Sequence, residues 1–268
     1  MIVTTSYSPT EAQVQQAISI AMMLNIQYRK RMNPPIKYSL AQLRKRNQCD
    51  DVLVVETTGI KLCKDQEPPL FFHPSMGMIR MKRLRDGGYD PLVAITGVQL
   101  GDRILDATCG MASDSLVLSY AAGEFGHVDA CESSSVIALL ISDGLSKYTQ
   151  ADADVIAAMR RISVQAMGNL EFMKRQADKS YDIVYFDPMF AQAIHDSASI
   201  KPLRSFADLQ SLTQEALNEA MRITRRVVVI KDHYRSEVFD HFGFESPIHH
   251  GSEVKYGIIT MDSAKVDV

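Results

Sequence analysis

The stretch Arg103–Ser119, RILDATCGMASDSLVLS, decides the predicted fold. Its first five residues form a short apolar run that predicts a β-strand, and Asp106 lies near the end of that run. Gly110 permits a tight turn, and the apolar pattern from Ser113 predicts a helix as far as Ala121. A strand, a glycine turn and a helix in this order are typical of α/β proteins.

The alternation of strand and helix continues through residues 90–268. Further strands are predicted at His127–Cys131, Ile162–Ala166, Asp182–Phe186 and Arg226–Lys231, and further helices at Ser134–Leu145, Asp152–Arg161 and Leu209–Arg222. The tail, Phe239–Met261, predicts a terminal antiparallel hairpin. We therefore predict an α/β fold with a doubly wound, mostly parallel, Rossmann-like sheet of seven strands.

Residues 1–89 predict a separate, small α+β domain. Its first features are a β-branched run at Ile2–Thr5 and an apolar helical pattern from Ala12 to Leu24. Ser39 and Gln42 have the spacing of a capping box, which predicts a helix start. Further strands are predicted at Asp51–Thr57, Ile60–Cys63 and Leu70–Phe72.

Composition excludes several classes of protein. With 268 residues, 46% hydrophobic and 23% charged, the chain is typical of a globular protein and not of a disordered or fibrous one. No run reaches the roughly 18 to 20 apolar residues of a membrane span, and no secretory signal is visible, so we expect a cytoplasmic protein with no membrane partner. The four cysteines have no C-x-x-C spacing and the adjacent His249 and His250 would point to opposite faces of a strand, so no metal is predicted.

Charge is distributed unevenly along the chain. Residues 1–90 hold 13 Lys and Arg against 8 Asp and Glu, whereas residues 91–268 hold 16 against 24. The basic part predicts nucleic-acid docking, although solvated helix faces produce the same pattern. Of three basic clusters, we favour the one that directly precedes the predicted sheet domain, which contains Arg80, Lys82, Arg83 and Arg85.

Ligands of open α/β sheets bind beyond the carboxyl ends of the strands, so the loops there are the first candidates. The first loop contains Asp106 and Gly110. Glu132, after the second strand, could accept two hydrogen bonds from a ribose diol, or could simply cap a helix. The third loop, with Met167, Gly168 and Asn169, is where an adenine edge would meet the backbone.

The strongest segment is Tyr181–Phe190, YDIVYFDPMF. Asp187 and the rigid Pro188 fix a carboxylate and nearby backbone carbonyls as hydrogen-bond acceptors, and Phe190 offers a flat face. This combination suits an amino group attached to a flat ring. We therefore predict Asp187, Pro188 and Phe190 as catalytic residues.

Together, DATCGMASD, DACES and YFDPMF resemble class I S-adenosyl-L-methionine (SAM) dependent methyltransferases, and most of all the RsmJ-like small-subunit ribosomal RNA guanine-N2 methyltransferases. The resemblance spans about residues 71–260 and implies SAM as cofactor and RNA as substrate. It also implies cofactor contacts at Ser113, Asp114, Glu132, Ser133, Met167, Gly168 and Asp187. Related sequences have a more glycine-rich first loop, with an arginine where this chain has Ser113.

Three other functions are compatible with an α/β fold of this kind. An NAD-dependent oxidoreductase also uses a glycine turn and an acid after the second strand, but it would need G-x-G-x-x-G, and the first loop has one glycine. A non-catalytic methyltransferase fold that binds RNA is disfavoured by the intact Asp106, Glu132 and Asp187. A methyltransferase acting on a small molecule or a protein stays open, as does the oligomeric state.

Overall fold

The computed structural model describes residues 1–33, 35–188, 212–245 and 253–261. Contacts divide them into two units. Unit 1 comprises residues 1–73 and 139–148, and unit 2 comprises residues 74–138, 149–188, 212–245 and 253–261. In the described residues, no helix has the length and apolar character needed to cross a membrane.

Unit 1 combines short strands with two helices of its own. In chain order its elements are β1 (Ile2–Thr5), α1 (Glu11–Met23), β2 (Gln27–Tyr28), β3 (Met32–Asn33), β4 (Ile36–Lys37), α2 (Leu40–Asn47), β5 (Val52–Glu56), β6 (Gly59–Cys63) and β7 (Leu70–Phe71). The main sheet has the order β2-β1-β5-β6-β7, in which β1 is parallel to β2 and β5, and the remaining pairs are antiparallel. Strands β3 and β4 form a separate antiparallel pair.

Local sequence accounts for the helix starts of unit 1. The predicted capping box at α2 is confirmed, because Ser39 Oγ accepts a hydrogen bond from the Gln42 amide and the Gln42 side chain accepts one from the Ser39 amide. Thr10 and Gln13 form a second capping box at α1. The apolar side chains of β5 are fully buried and anchor the core of this unit.

Unit 2 contains the alternating elements. They are α3 (Ser75–Arg85), α4 (Pro91–Thr96), β8 (Arg103–Asp106), α5 (Ser113–Ala122), β9 (His127–Cys131), α6 (Ser135–Lys147, grouped with unit 1 from residue 139), α7 (Ala153–Arg160), β10 (Ile162–Gln165), α8 (Asn169–Lys174), β11 (Tyr181–Phe186), α9 (Gln214–Ile223), β12 (Thr224–His233), α10 (Val238–Phe242) and β13 (Val254–Thr260). The five predicted parallel strands are confirmed, with ends that differ by a few residues. Helices α3, α4 and α8 were not predicted.

The sheet of unit 2 has the order β10-β9-β8-β11-β12-β13, in which the first five strands are parallel and β13 is antiparallel to β12. The α/β class with parallel strands is therefore confirmed, but the described residues form six strands and not the predicted seven. The predicted tail hairpin is confirmed in part, because Glu245 and Ile258 form an antiparallel bridge through two backbone hydrogen bonds, of 2.9 and 2.7 Å. Strand β13 pairs with the otherwise open edge of β12, and the start of the tail forms α10.

The two units divide between His73 and Pro74, whereas the predicted boundary lies after residue 89. Helix α3 belongs to unit 2 because it packs closely on α5. A Cβ atom at Gly77 of α3 would lie 3.0 Å from the Ser113 carbonyl oxygen and 3.1 Å from Leu116 Cδ1. A side chain at this position would require one of these atoms to move by a few tenths of an ångström, so glycine favours the close approach of the two helices.

Candidate active site

The predicted cofactor loops meet at one edge of the unit 2 sheet. Strands β10, β9, β8 and β11 are neighbours and parallel, so their carboxyl ends lie along the same edge. Asp106 ends β8, Glu132 directly follows β9, and Asp187 directly follows β11. The loop between β10 and α8 contains Met167 and Gly168. The fold therefore brings together the residues that the sequence analysis selected from four separate loops.

Asp106 is a buried carboxyl group at the start of the first loop. It accepts hydrogen bonds from the Thr108 amide, at 3.1 Å, and from the Ser115 hydroxyl of α5. Burial raises the pKa of Asp106 to about 7. These contacts connect strand β8 to helix α5, so the buried Asp106 stabilises the conformation of the first loop.

The first loop turns through two left-handed residues. Gly110 has a φ of 49°, which glycine adopts without strain, and Ala112 has a φ of 60°. For alanine this conformation costs roughly 1 to 2 kcal/mol. Ala112 is fully buried, and its amide donates a hydrogen bond to the Cys109 carbonyl at 2.7 Å. The turn ends where α5 begins, with the half-buried Ser113 as its first residue.

Asp114, in the first turn of α5, is the centre of a buried ionic network. It accepts hydrogen bonds from Arg80 Nη1, from the Tyr185 hydroxyl at 2.8 Å and from Lys231 Nζ at 3.0 Å. Burial opposes its charge, but Lys231 and Arg80 hold the pKa of Asp114 below its ordinary value. The positive end of the helix dipole also favours a carboxylate there.

Lys231, on β12, links Asp114 to Asp187. Its Nζ atom lies 2.6 Å from Asp187 Oδ2 and 3.0 Å from Asp114 Oδ2. Burial disfavours the ammonium, yet the two carboxylates raise the pKa of Lys231 above its ordinary value. Lys231 was not among the predicted site residues. The sequence feature that could have predicted it is its position at the end of the apolar run Arg226–Ile230, which forms the strand next to that of Asp187.

Asp187 and Pro188 lie directly beyond β11. The Asp187 amide donates a hydrogen bond to Thr108 Oγ1 of the first loop at 2.5 Å. Burial and the nearby Asp114 raise the pKa of Asp187 to about 6, while Lys231 opposes this rise. Pro188 is half-buried, and the predicted stacking residue, Phe190, lies outside the described residues.

Arg80, which we predicted to contact RNA, forms ion pairs inside unit 2. Its guanidinium binds both carboxylate oxygens of Asp90, at 2.7 and 2.8 Å, and also contacts Asp114. Its side chain is only 16% exposed, because the planar guanidinium is enclosed between these two carboxylates. Asp90 also caps α4 through the Leu92 amide at 3.0 Å. The largely buried Arg80 guanidinium therefore has a structural role in unit 2.

The other three residues of the predicted RNA cluster are on the surface of α3. Arg85 pairs with Asp152 and Asp154, whereas Lys82 and Arg83 are exposed and form no ion pair with a described residue. An RNA contact by Lys82 or Arg83 stays a prediction.

Glu132 is half-buried, and Ser133 is exposed. Glu132 Oε1 accepts a hydrogen bond from the Ser134 amide at 2.8 Å, just before α6. The Ile137 amide donates a hydrogen bond to Ser134 Oγ at 3.4 Å, so Ser134 caps α6 and the alternative interpretation of Glu132 as the cap is not supported. The position of Glu132 at the end of β9 agrees with the ribose interpretation, which stays a prediction.

The third loop is joined to the first. Asn169 Nδ2 donates a hydrogen bond to the Ala107 carbonyl at 3.0 Å, so this side chain links two loops. Met167 packs against the apolar core. A Cβ atom at Gly168 would meet no heavy atom within 4 Å, which leaves open space beside this backbone.

The arrangement fits a ligand that combines a flat base, a ribose and a positive centre. Gly168 has open space for a ring, and Glu132 supplies a carboxylate at the neighbouring strand end. The ionic network contains three carboxylates and two cations, so its charge is net negative when all are ionised. A sulfonium ion is favoured next to such a network. The donor and acceptor set therefore fits SAM.

Comparison with known proteins identifies the family. The family model described as "Putative SAM-dependent methyltransferase" matches residues 37–248. The chain belongs to this SAM-dependent methyltransferase family. The cofactor of the methyltransferase is accordingly SAM.

Individual relatives refine this assignment. The methyltransferase is 35% identical to "Uncharacterized protein YpiP" of Bacillus subtilis, over 96% of this chain and 98% of the relative. It is 32% identical to "Ribosomal RNA small subunit methyltransferase J" of Dechloromonas aromatica, over 68% of this chain and 77% of the relative. It is therefore a class I enzyme related to RsmJ.

Solved structures support the fold. A crystal structure of a SAM-dependent methyltransferase from Neisseria gonorrhoeae superposes with a TM-score of 0.61, at 20% identity, and covers 98% of this chain and 97% of that one.

Proposed function

We propose that the methyltransferase methylates an exocyclic amino group of a base in ribosomal RNA, with guanine N2 as the acceptor. The observation that carries this proposal is the position of Asp187 and Pro188. They directly follow β11, beside the first loop, with the Asp187 carboxylate 2.6 Å from Lys231 Nζ. An acid and a proline at this strand end suit recognition of an amino group.

The proposed chemistry is a direct displacement in which the protein mainly positions the reactants. SAM supplies a methyl group that is already activated by the sulfonium. Asp187 Oδ1 and the Pro188 carbonyl accept hydrogen bonds from the amino group, whose electron pair is otherwise delocalised into the ring. As the new N–C bond forms, the bond between sulfur and the methyl carbon breaks, and the amino nitrogen loses its surplus proton to solvent through Asp187 Oδ1. Lys231 holds the other carboxylate oxygen, Oδ2, and so fixes the direction of Oδ1. Correct alignment of nitrogen and methyl carbon can supply several kcal/mol of the barrier.

A base in RNA must leave its stack to reach this strand end. We assign Phe190 to stacking on the displaced base, a contact that contributes roughly 1 to 3 kcal/mol in nucleic-acid binding proteins. Support for an RNA substrate comes from the relatives named "Ribosomal RNA small subunit methyltransferase J". The exposed Lys82 and Arg83 on α3 are available for phosphate contacts.

Mass spectrometry of ribosomal nucleosides tests this function. A strain that lacks the protein should lose one N2-methylguanosine from small-subunit RNA, and the wild-type protein should restore it. The Asp187→Ala variant should not. Unchanged methylation of the RNA in the deletion strain, with methyl transfer to a small molecule or a protein, would contradict the proposal.

A further inference from the structure

Residues 27–49 of unit 1 carry an unusual charge pattern. This segment contains seven of the 29 Lys and Arg residues of the chain and no Asp or Glu. Two basic triplets, Arg29-Lys30-Arg31 and Arg44-Lys45-Arg46, lie at its two ends. The first triplet follows β2 and the second lies within α2, so the sequence alone does not show that they meet.

The structure brings one side of the two triplets together around a groove with a volume of about 520 Å³. The lining combines three cations, an aromatic ring, an amide and one apolar side chain. These residues are Arg29, Lys30, Arg46, Tyr38, Asn47 and Leu43. The groove therefore has positive charge and no acidic lining residue.

The cations of this groove have neutral partners only. Arg29 Nε donates to Asn47 Oδ1 at 2.6 Å, and Arg46 Nη1 donates to the Tyr38 hydroxyl at 3.0 Å. The Arg46 guanidinium also lies over the Tyr38 ring, 4.7 Å from its centroid. Within the described part of unit 1, Arg29, Lys30 and Arg46 take part in no ion pair, whereas four other basic residues do, namely Arg44, Lys61, Lys64 and Lys147.

Arg44 shows how different a structural arginine is. Its guanidinium donates to the backbone carbonyls of Cys63 and Lys64, at 2.9 and 2.8 Å, and its Nη1 lies 3.4 Å from Asp65. Arg44 thus joins α2 to the end of β6. Arg46, in the same helix, is exposed and has no such internal role.

Clustered cations that no carboxylate neutralises repel one another, and a polyanion relieves that repulsion. Guanidinium groups bind phosphate oxygens in a fork, and a tyrosine ring among them can stack on a base. A concave polar groove with cations on two sides suits a strand of regularly spaced phosphates better than it suits a flat lipid surface. The α3 cluster is weaker as a docking site, because Arg80 is internal and Arg85 is already paired.

We propose that this groove of unit 1 binds the phosphodiester backbone of the RNA substrate through Arg29, Lys30 and Arg46. The inference rests on the proposed function, since it takes RNA as the substrate. It also gives a defined role to unit 1, which contributes no residue to the candidate active site described above.

The test compares two double variants of the full chain that lose the same charge. In Arg29→Ala/Arg46→Ala the groove loses two cations, and in Lys174→Ala/Lys179→Ala two exposed lysines are removed near the amino end of β11. Binding of a fluorescein-labelled fragment of small-subunit ribosomal RNA is titrated at several salt concentrations. SAM affinity is measured by calorimetry as a check of unit 2.

The affinity of the groove variant for RNA should be lower by about tenfold or more. A plot of log affinity against log salt concentration should also be less steep, by about 0.7 to 0.9 for each lost phosphate contact. Its SAM affinity should equal that of the wild type, and the lysine variant should retain both the affinity for RNA and the salt slope. Equal RNA affinity and salt slope in the groove variant and the wild type would overturn the proposal. A loss restricted to binding of phosphatidylglycerol vesicles would also overturn it.

The proposed function fails on a different observation. If the wild type transfers no methyl group to RNA, that function is wrong whatever the groove binds. If the wild type methylates RNA and the groove variant does so with the same KM, the groove is wrong and the proposed function stands.

Discussion

At the residue scale, one ammonium group lies between two carboxylates at the edge of the sheet. Lys231 Nζ is 2.6 Å from Asp187 and 3.0 Å from Asp114. Asp187 has a pKa raised to about 6 by burial, and this rise is already limited by Lys231. The amine-accepting form is the carboxylate, so activity should fall as the pH falls through about 6.

Lys231→Met should therefore shift the acid limb of the kcat profile upward by about 1 to 3 pH units, because an opposite charge at this distance lowers a carboxyl pKa by that amount. Activity should be poor near neutral pH and recover at higher pH. The measurement is methyl transfer against pH. Lys255→Met is the matched control, since Lys255 on the adjacent β13 lies over the Phe239 ring, 4.6 Å from its centroid. An unshifted profile in Lys231→Met would contradict the role of this residue.

Glu132 makes a second prediction at this scale. A charged acceptor contributes about 1.5 to 3 kcal/mol per hydrogen bond, so Glu132→Ala should weaken calorimetric SAM binding at least about tenfold. Loss of the contact to the Ser134 amide should also cost about 1 kcal/mol of unfolding free energy. Glu171→Ala, which removes an exposed acid of α8, should change neither. Unchanged SAM affinity in Glu132→Ala would leave this residue only its contact with the Ser134 amide.

At the element scale, Arg80 joins α3 to α4 and α5 through Asp90 and Asp114. Arg80→Ala should lower the free energy of unfolding by about 3 to 5 kcal/mol, because the buried Asp90 loses its counter-ion and Asp114 keeps only Lys231. Arg83→Ala, at an exposed position of the same helix, should stay within about 0.5 kcal/mol of the wild type. Urea denaturation measures both. Equal stability of Arg80→Ala and the wild type would show that the ionic network is dispensable.

The elements that could be predicted well are those whose formation depends on residues close together in the sequence. The strand at Arg103–Asp106 follows from a short apolar run, and the α2 start follows from the spacing of Ser39 and Gln42. Helix α3 was missed because its short apolar pattern is interrupted by Lys and Arg. The pairing of β13 with β12 was not predicted, because strand pairing depends on which sheet edge is open, which no local pattern encodes.

The residues of the candidate site also fall into those that could be predicted from the sequence and those that could not. The residues at the strand ends, Asp106, Glu132 and Asp187, could be selected because a parallel sheet places successive strand ends at one edge. Arg80 and Lys231 could not, because their roles depend on carboxylates far away in the chain. The sequence does not distinguish a basic residue that binds RNA from one that forms an internal salt bridge.

At the scale of the whole molecule, the chain combines two units with different charge and different proposed tasks. Unit 2 contains the SAM-dependent methyltransferase sheet and its ionic network, and unit 1 contains the basic groove. On this division, defects in the groove should appear in KM for RNA, and defects at the strand ends should appear in kcat or in SAM affinity.

The most direct test is transfer of a radiolabelled methyl group from SAM to small-subunit ribosomal RNA purified from a strain that lacks the protein. The wild type and Asp178→Ala, which changes an exposed acid, should label the RNA at equal rates. Asp187→Ala should fold normally and, at SAM concentrations that saturate it, should give no labelled N2-methylguanosine. Labelling by Asp187→Ala at the wild-type rate, or no labelling of RNA by the wild type, would contradict methylation of an RNA base at this site.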